Sequence, residues 1–135
     1  MKTNEKFLSF YYRNMKEVPD IHLNLAKTAL LIVDMQKHFI SMDGYDAEQC
    51  RKAGEWDEGE WFYDHIQDVV IPNNKRLLDC CRKNGVEVTY GRIASLKKNG
   101  SDRSRVQSTV GWNDIYVYVD DEGAQMVDEL TPLKD

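Results

Sequence analysis

An aspartate that directly follows a short apolar segment is the residue with the clearest capacity for chemistry. Residues 29–33, Ala-Leu-Leu-Ile-Val, contain no polar residue and do not alternate, and Asp34 comes next. Such a segment is typical of a strand buried on both faces of a parallel sheet. Ligands bind at the carboxyl ends of these strands, where a carboxylate can serve as an acid or a base. A helix cap, or a pairing with a buried cation, is an equally good explanation of Asp34.

Cysteine and histidine are few and scattered. The sequence holds three of each: Cys50, Cys80, Cys81, His22, His38 and His65. An odd number of cysteines, two of them adjacent, argues against a disulfide framework, and no pair has the spacing of zinc ligands. A nucleotide-binding domain needs a glycine-rich turn after its first strand, where Met-Gln-Lys-His stands here. We therefore expect neither a metal nor a cofactor.

Composition narrows the class of protein. The 135 residues are 41% hydrophobic, which suits one domain. The net charge of -5 argues against a nucleic-acid partner and leaves a small molecule or a protein. The aromatic run at residues 7–12 is too short for a signal peptide, and we find no apolar run that could span a membrane. We expect a cytoplasmic protein.

The order of segments predicts a parallel βαβ unit. Residues 64–81 show helical periodicity, with either a kink or the true start of the helix at Pro72, and Gly85 is placed to end it in the left-handed conformation. Residues 86–92 are β-branched and aromatic and predict the second strand. A strand, a helix and a strand in this order form a right-handed crossover.

The remaining segments are harder to assign. Residues 7–18 predict a short amphipathic helix, 111–119 an irregular segment and 122–130 a short helix or turn. Residues 40–63 are acidic and favour a solvated loop, part of which packs its aromatic residues as a lid or an interface. Residues 95–105 predict a basic loop beside Asp34, either a solvated turn or a surface that attracts an anion. Cys80 and Cys81 should pack, one in the core and one at its boundary.

Several segments match a known family in their order and spacing: residues 28–36 with Phe39, 70–78, 82–90 and 127–132. On them the sequence resembles the isochorismatase-like cysteine hydrolases, which include ureidoacrylate, carbamoylsarcosine and nicotinamide amidohydrolases. Residues 43–45 are most similar to the ureidoacrylate branch. The resemblance implies a three-layer α/β/α domain with a Rossmann-type parallel sheet. We expect a single such domain over residues 1–135, incomplete in this chain, with residues 1–26 as an N-terminal arm.

The resemblance also implies a mechanism and a site. Family members cleave a C–N bond of a small amide or ureido substrate through a covalent thioester, using an Asp, a Lys and a Cys. Asp34 matches the Asp, which takes the thiol proton and later activates water. Phe39 is expected to line the pocket, and Gln36 to be either a pocket donor or a structural bond to the strand end. Arg92 either binds a substrate carboxylate or forms a surface salt bridge.

The other two catalytic groups have no match in these 135 residues. The sequence ends just short of the strand expected to carry the Lys, Lys134 precedes that strand, and the cysteines do not sit in the nucleophile's context. We therefore expect the chain alone to be inactive. A second polypeptide or a missing C-terminal part would supply the Lys and Cys in an oligomer that binds neither nucleic acid nor membrane. The alternative is a non-catalytic α/β interaction module or an inactive fragment.

Overall fold

Two parallel strands joined through helices form the centre of the fold. The computed structural model describes residues 10–12 and 22–133. Strand β1 (Ala29–Val33) pairs in parallel with β2 (Glu87–Gly91) along the whole length of both. Both strands were predicted, the second one residue too long at each end. The chain is therefore mixed α/β around a two-stranded parallel sheet.

The connection between the strands is helical. It consists of α1 (Lys37–Ile40), α2 (Tyr45–Ala53), α3 (Trp56–His65), a π-helical turn (Ile66–Val70) and α4 (Ile71–Lys83). Short 3-10 turns lie at Phe10–Tyr12, Leu25–Lys27, Glu122–Ala124 and Asp128–Leu130. The last two confirm the prediction of a short helix or turn over 122–130, and 111–119 is irregular as predicted. The predicted helix over 7–18 lies outside the described residues, except for the turn at 10–12.

The prediction of a solvated loop over residues 40–63 is wrong, because α2 and most of α3 lie there. The acidic residues that favoured a loop are concentrated in the first turns of these two helices. Carboxylates in a first turn are stabilised by the partial positive charge of the exposed backbone N–H groups. Gly54 then ends α2 in the left-handed conformation, with a φ of 76°. The acidic composition therefore marks two helix starts.

The region around Pro72 combines a π turn with a helix start. Helix α4 begins at Ile71, so that Pro72 falls in its first turn, and the π turn ends immediately before it. Proline has no N–H to donate to the helical ladder, and here the hydrogen-bonding pattern changes just ahead of it. The helix ends at Lys83, and Gly85 follows with a φ of 67°, which confirms the predicted left-handed position.

One face of the sheet packs on the core, and the other is open. Leu78 and Leu130 are fully buried with Ile32, and Leu30, Val88 and Tyr90 pack against the same cluster. Leu31 and Val33, on the opposite face of β1, are 60% and 53% exposed. The prediction that β1 is buried on both faces is therefore wrong for the described residues. The apolar run lacks alternation, yet only every second side chain of it, Leu30 and Ile32, packs on the core cluster.

The cysteines of α4 do not enter the core. Cys80 is exposed and Cys81 is half-buried, so the prediction that one of them is a core residue is wrong. Leu78, with no exposed surface, sets the inward face of the helix. Cys80 is two residues further on, about 200° around the helix axis, and therefore faces outward.

Candidate functional site

Asp34 lies at the carboxyl end of β1, as predicted, and has an unusual backbone conformation. Its φ of 55° makes it the only non-glycine residue with a positive φ in the described part of the chain. Its N–H donates to the carbonyl oxygen of Gly91 at 2.9 Å, which extends the pairing of the two strands by one step. The side chain is exposed and forms no hydrogen bond or ion pair with any described residue. The carboxylate is therefore available to a ligand.

Gln36 fixes the turn that follows Asp34. Its side chain is fully buried, and Nε2 donates to the carbonyl oxygens of Ile93 at 2.9 Å and Ala124 at 3.2 Å. Its Oε1 accepts from the N–H of Ile93 at 2.7 Å. Both amide donors and the acceptor therefore bind backbone groups, which favours the structural alternative for Gln36 over a role as a pocket donor. The antiparallel bridge between Gln36 and Met126 is a further contact between this turn and the C-terminal part of the described chain.

Arg92 lies beside Asp34 at the same edge of the sheet. The pairing of Val33 with Gly91 places the next residues of the two strands, Asp34 and Arg92, side by side. The guanidinium is exposed and turned toward the segment after β2, where it donates to the carbonyl oxygen of Ala124 and to Oε1 of Gln125, both at 3.2 Å. The surface salt bridge, one of the two expected roles, is not formed with any described residue, because these partners are neutral oxygens. Binding of a substrate carboxylate stays a prediction.

Phe39 takes a place against the core. It is half-buried, packs on the central apolar cluster and meets the ring of His38 edge-on, with 4.7 Å between ring centroids. The residues predicted for the site thus divide into two groups. Asp34, Gln36 and Arg92 meet at the carboxyl edge of the sheet, and Phe39 supports α1 from the core side.

A cleft of about 1200 Å³ lies elsewhere, and none of the four predicted residues lines it. Residues from 37–48 form one part of its lining and residues from 98–129 another. Eight carboxylates but only three Lys and Arg side chains line it, so the cleft is predominantly negative. An anionic substrate is therefore better accommodated beside Arg92 than in this cleft.

Two charged clusters on α1 face the cleft. Lys37 forms ion pairs with Asp128, at 2.7 Å, and with Glu122, and these hydrogen bonds raise the pKa of the ammonium group above its usual value. His38 stacks on Tyr45 with 4.8 Å between centroids and lies 3.5 Å from Asp46. Burial lowers the pKa of His38, partly opposed by Asp46, and burial raises the pKa of Asp46.

Sequence reasoning missed these clusters. His38 and Asp46 come together only because α1 and α2 pack closely around Gly44, where an added Cβ would lie 2.2 Å from the carbonyl oxygen of Lys37. Lys37 instead meets Glu122 and Asp128, which lie in the last two 3-10 turns. In the sequence, Gly44 was the only sign that two short segments pack closely there, and a glycine does not specify which side chains meet.

The basic loop over residues 95–105 folds on itself. Asp102 accepts from the backbone N–H of Leu96 at 2.8 Å and from the hydroxyl of Ser95 at 2.5 Å, and these hydrogen bonds lower the pKa of its carboxyl. Arg103 pairs with Asp114 at 2.9 Å. The loop therefore has its own internal bonds, and the described contacts do not join it to Asp34.

Comparison of the chain with protein-family models and with curated proteins finds no match. Within residues 10–12 and 22–133, no group of three or more His, Cys, Asp and Glu side chains is arranged to hold a metal ion. Over the same residues, no helix is both long enough and apolar enough to cross a bilayer. What the chain does is therefore inferred from its residues and their geometry.

Proposed function

We propose that the chain contributes the acid/base carboxylate of a cysteine hydrolase of the isochorismatase-like type. In this proposal the enzyme cleaves a C–N bond of a small amide or ureido substrate, and Asp34 is the proton-transfer group. The nucleophilic Cys and the Lys come from polypeptide outside residues 1–135. Cys50, on α2, and Cys80 and Cys81, on α4, are not on strand-to-helix turns, the position that the resemblance implies for the nucleophile.

The backbone of Asp34 is the observation that carries the proposal. A non-glycine residue in the left-handed region costs about 1–2 kcal/mol and persists only where its surroundings hold it. Asp34 is held by its N–H bond to Gly91 and by the bonds of Gln36. Such residues are concentrated at functional sites. The conformation presents an exposed, unpaired carboxylate at the sheet edge where α/β proteins bind ligands.

Asp34 would move a proton at each stage of the reaction. It takes the thiol proton, and the thiolate attacks the carbonyl carbon of the substrate. As the C–N bond breaks, Asp34 returns the proton to the leaving nitrogen, and a thioester remains. It then takes a proton from the water molecule that attacks this thioester, and returns it to the departing thiolate as the C–S bond breaks. In this scheme Gln36 is a positioning residue and Arg92 binds the anionic end of a substrate.

The open face of the sheet supports a larger domain. Leu31 and Val33 are more than half exposed, although β-branched and aliphatic residues in such a run are usually covered. Helices packed on this face would complete a three-layer α/β/α arrangement. The three free cysteines suit a reducing compartment, which favours a cytoplasmic enzyme.

The test is Asp34→Asn in the completed assembly, prepared by coexpressing the chain with the polypeptide that carries the Lys and Cys. Asparagine tolerates the left-handed conformation, so the fold is retained while the proton acceptor is lost. We expect turnover, measured as ammonia release from small ureido and amide substrates, to fall about 10³-fold. Glu60→Gln, an exposed carboxylate on α3, is the matched control and should leave turnover unchanged. Turnover of Asp34→Asn close to that of the control would reject the proposed role.

A second candidate, a non-catalytic interaction module, is favoured by the same open face. A module of this kind needs the apolar surface but not the carboxylate. Leu31→Glu would then abolish partner binding, whereas Asp34→Asn would leave the affinity for the partner unchanged. A hydrolase requires both residues, so the pair of variants separates the two functions.

A further inference from the structure

The outer surface of α3 and the π turn combines exposed apolar side chains with uncompensated negative charge. Trp61 is 73% exposed, Phe62 45% and Val69 39%. The carboxylates around them are all exposed: Asp57, Glu58, Asp64 and Asp68. We call these seven residues the acidic aromatic surface. Its apolar side chains are large, and soluble monomers rarely leave several of them clustered in water.

No cation of the same segment neutralises this surface. The sequence has no Lys or Arg between Lys52 and Lys75. The ion pairs found among the described residues involve none of the four carboxylates. The cations that flank the segment have partners of their own, because Lys52 pairs with Glu48 and Lys75 with Asp79. The guanidinium of Arg51 stacks over the ring of Trp56, at 3.8 Å from its centroid. The surface therefore has an unmatched charge as well as an unmatched apolar area.

The segment after β2 carries a surface of the opposite charge. Leu96 is 74% exposed, Val106 56%, Val110 85% and Trp112 80%. Exposed cations accompany them: Lys97, Lys98 and Arg105. We call these seven residues the basic apolar surface. Within residues 96–112 the sole carboxylate is Asp102, and it is already bound to Ser95 and Leu96.

Internal bonds hold the basic apolar surface in shape. The guanidinium of Arg103 donates to the carbonyl oxygens of Gly100, Gln107 and Ile115 at 3.3, 3.2 and 3.1 Å. The hydroxyl of Tyr116 donates to the carbonyl oxygen of Lys98. The exposed apolar residues are thus displayed by a bonded scaffold, and little ordering would be required when they are covered.

We propose that the acidic aromatic surface of one copy of this chain binds the basic apolar surface of a second copy. The two surfaces match in kind, because each places large apolar groups, including a tryptophan, among charges of one sign. Burial of aromatic residues supplies most of the affinity of such an interface, and the opposite charges fix its register and steer the encounter. Both surfaces are present on every copy, and in this proposal the contact is reciprocal, which closes a two-fold dimer. The contact does not involve Asp34 and is independent of the proposed function.

Sedimentation velocity of the purified chain over a range of concentrations tests the proposal. We expect reversible association that weakens between about 50 mM and about 500 mM NaCl, because added salt screens charges at an interface rim. A chain that stays monomeric at all concentrations in low salt would overturn the proposal. So would association that is equally strong in both salts, because it would then depend on an uncharged surface.

Reciprocal charge reversal locates the contact. One variant carries Lys97→Glu with Arg105→Glu, and another carries Asp64→Lys with Asp68→Lys. Each alone brings like charges together, and we expect its Kd for self-association to rise at least about tenfold. An equimolar mixture of the two variants pairs opposite charges at both contacts of the dimer, and its Kd should return to within about threefold of the unmodified chain.

The control variant reverses two exposed cations outside both surfaces, Lys27→Glu with Lys83→Glu, and should leave the Kd unchanged. Circular dichroism verifies that every variant is folded. A second pair of changes, Trp61→Ala with Trp112→Ala, removes the apolar contact without changing charge and should also abolish association. The proposal is wrong if the mixture of reversed variants stays monomeric, or if the control weakens association as much as they do.

Discussion

Replacement of Gln36 by alanine should destabilise the chain far more than the loss of one hydrogen bond. The side chain has no exposed surface and forms three hydrogen bonds with backbone groups of Ile93 and Ala124. In Gln36→Ala the N–H and the carbonyl oxygen of Ile93 both lose these partners. The carbonyl oxygen of Ala124 keeps one, because Arg92 also donates to it at 3.2 Å. Two backbone groups are therefore left unsatisfied.

Each unsatisfied buried group costs about 1–3 kcal/mol. Ile93 is only half-buried, so water partly replaces the lost partner, and the lower half of that range applies. The free energy of unfolding should therefore fall by about 2–4 kcal/mol for the two groups. Because domains are stable by about 5–15 kcal/mol, this is a large share of the total.

Urea unfolding followed by circular dichroism measures the change, with Gln67→Ala as the matched control. Gln67 donates one hydrogen bond, from Nε2 to the carbonyl oxygen of Ile40 at 3.0 Å, and its replacement should cost about 1 kcal/mol. If Gln36→Ala is too unstable for a baseline, amide exchange of Ile93 in Gln36→Met reports the same hydrogen bond, because methionine keeps the volume of the side chain but has no amide oxygen to accept from the N–H of Ile93. Equal losses for Gln36→Ala and Gln67→Ala would refute the structural role of Gln36.

Two further predictions concern the packing of α1 against α2. Gly44→Ala should lower the free energy of unfolding by about 2–3 kcal/mol, because its Cβ would lie 2.2 Å from the carbonyl oxygen of Lys37. Gly54 has open space around it, so Gly54→Ala should lower the free energy of unfolding by only about 1 kcal/mol, the cost of its positive φ. Equal urea midpoints for Gly44→Ala and Gly54→Ala would contradict this expectation. Burial lowers the pKa of His38, so the unfolded chain takes up this proton first, and stability should fall as the pH drops below about 6.5. His38→Gln should remove that part of the slope in urea titrations between about pH 7 and about pH 5, and unchanged slopes would exclude His38 as the cause. Burial raises the pKa of Asp46, so the folded chain takes up that proton first, and at lower pH Asp46 contributes a slope of the opposite sign.

The local pattern of the sequence was sufficient for the elements with a strong periodic or turn signal. Both strands, the helix that ends before Gly85 and the irregular segment over 111–119 follow from residue types within a short window. Helices α2 and α3 were missed because their acidic first turns resemble a solvated loop in composition. An acidic helix start differs from a solvated loop in the position of the carboxylates relative to the first turn, and a count of charges does not contain that position.

The site was predictable only where it depends on strand ends. Asp34 and Arg92 follow directly from the parallel pairing, because the ends of neighbouring parallel strands share one edge. The hydrogen bonds of Gln36 reach residues 57 and 88 positions away, and no local pattern specifies such partners. The cleft beside His38 depends in the same way on the contact of α1 with α2.

The open face of the sheet and the acidic aromatic surface differ in charge, and that difference separates their partners. The open face of β1 presents Leu31 and Val33 with a single acidic neighbour on β2, Glu87. A partner on that face gains mainly from apolar burial, which added salt does not weaken. The acidic aromatic surface has four carboxylates, so that its complexes must weaken as salt screens them. Association that survives high salt therefore belongs to the sheet face and to completion of the domain, whereas salt-sensitive association belongs to contacts between copies.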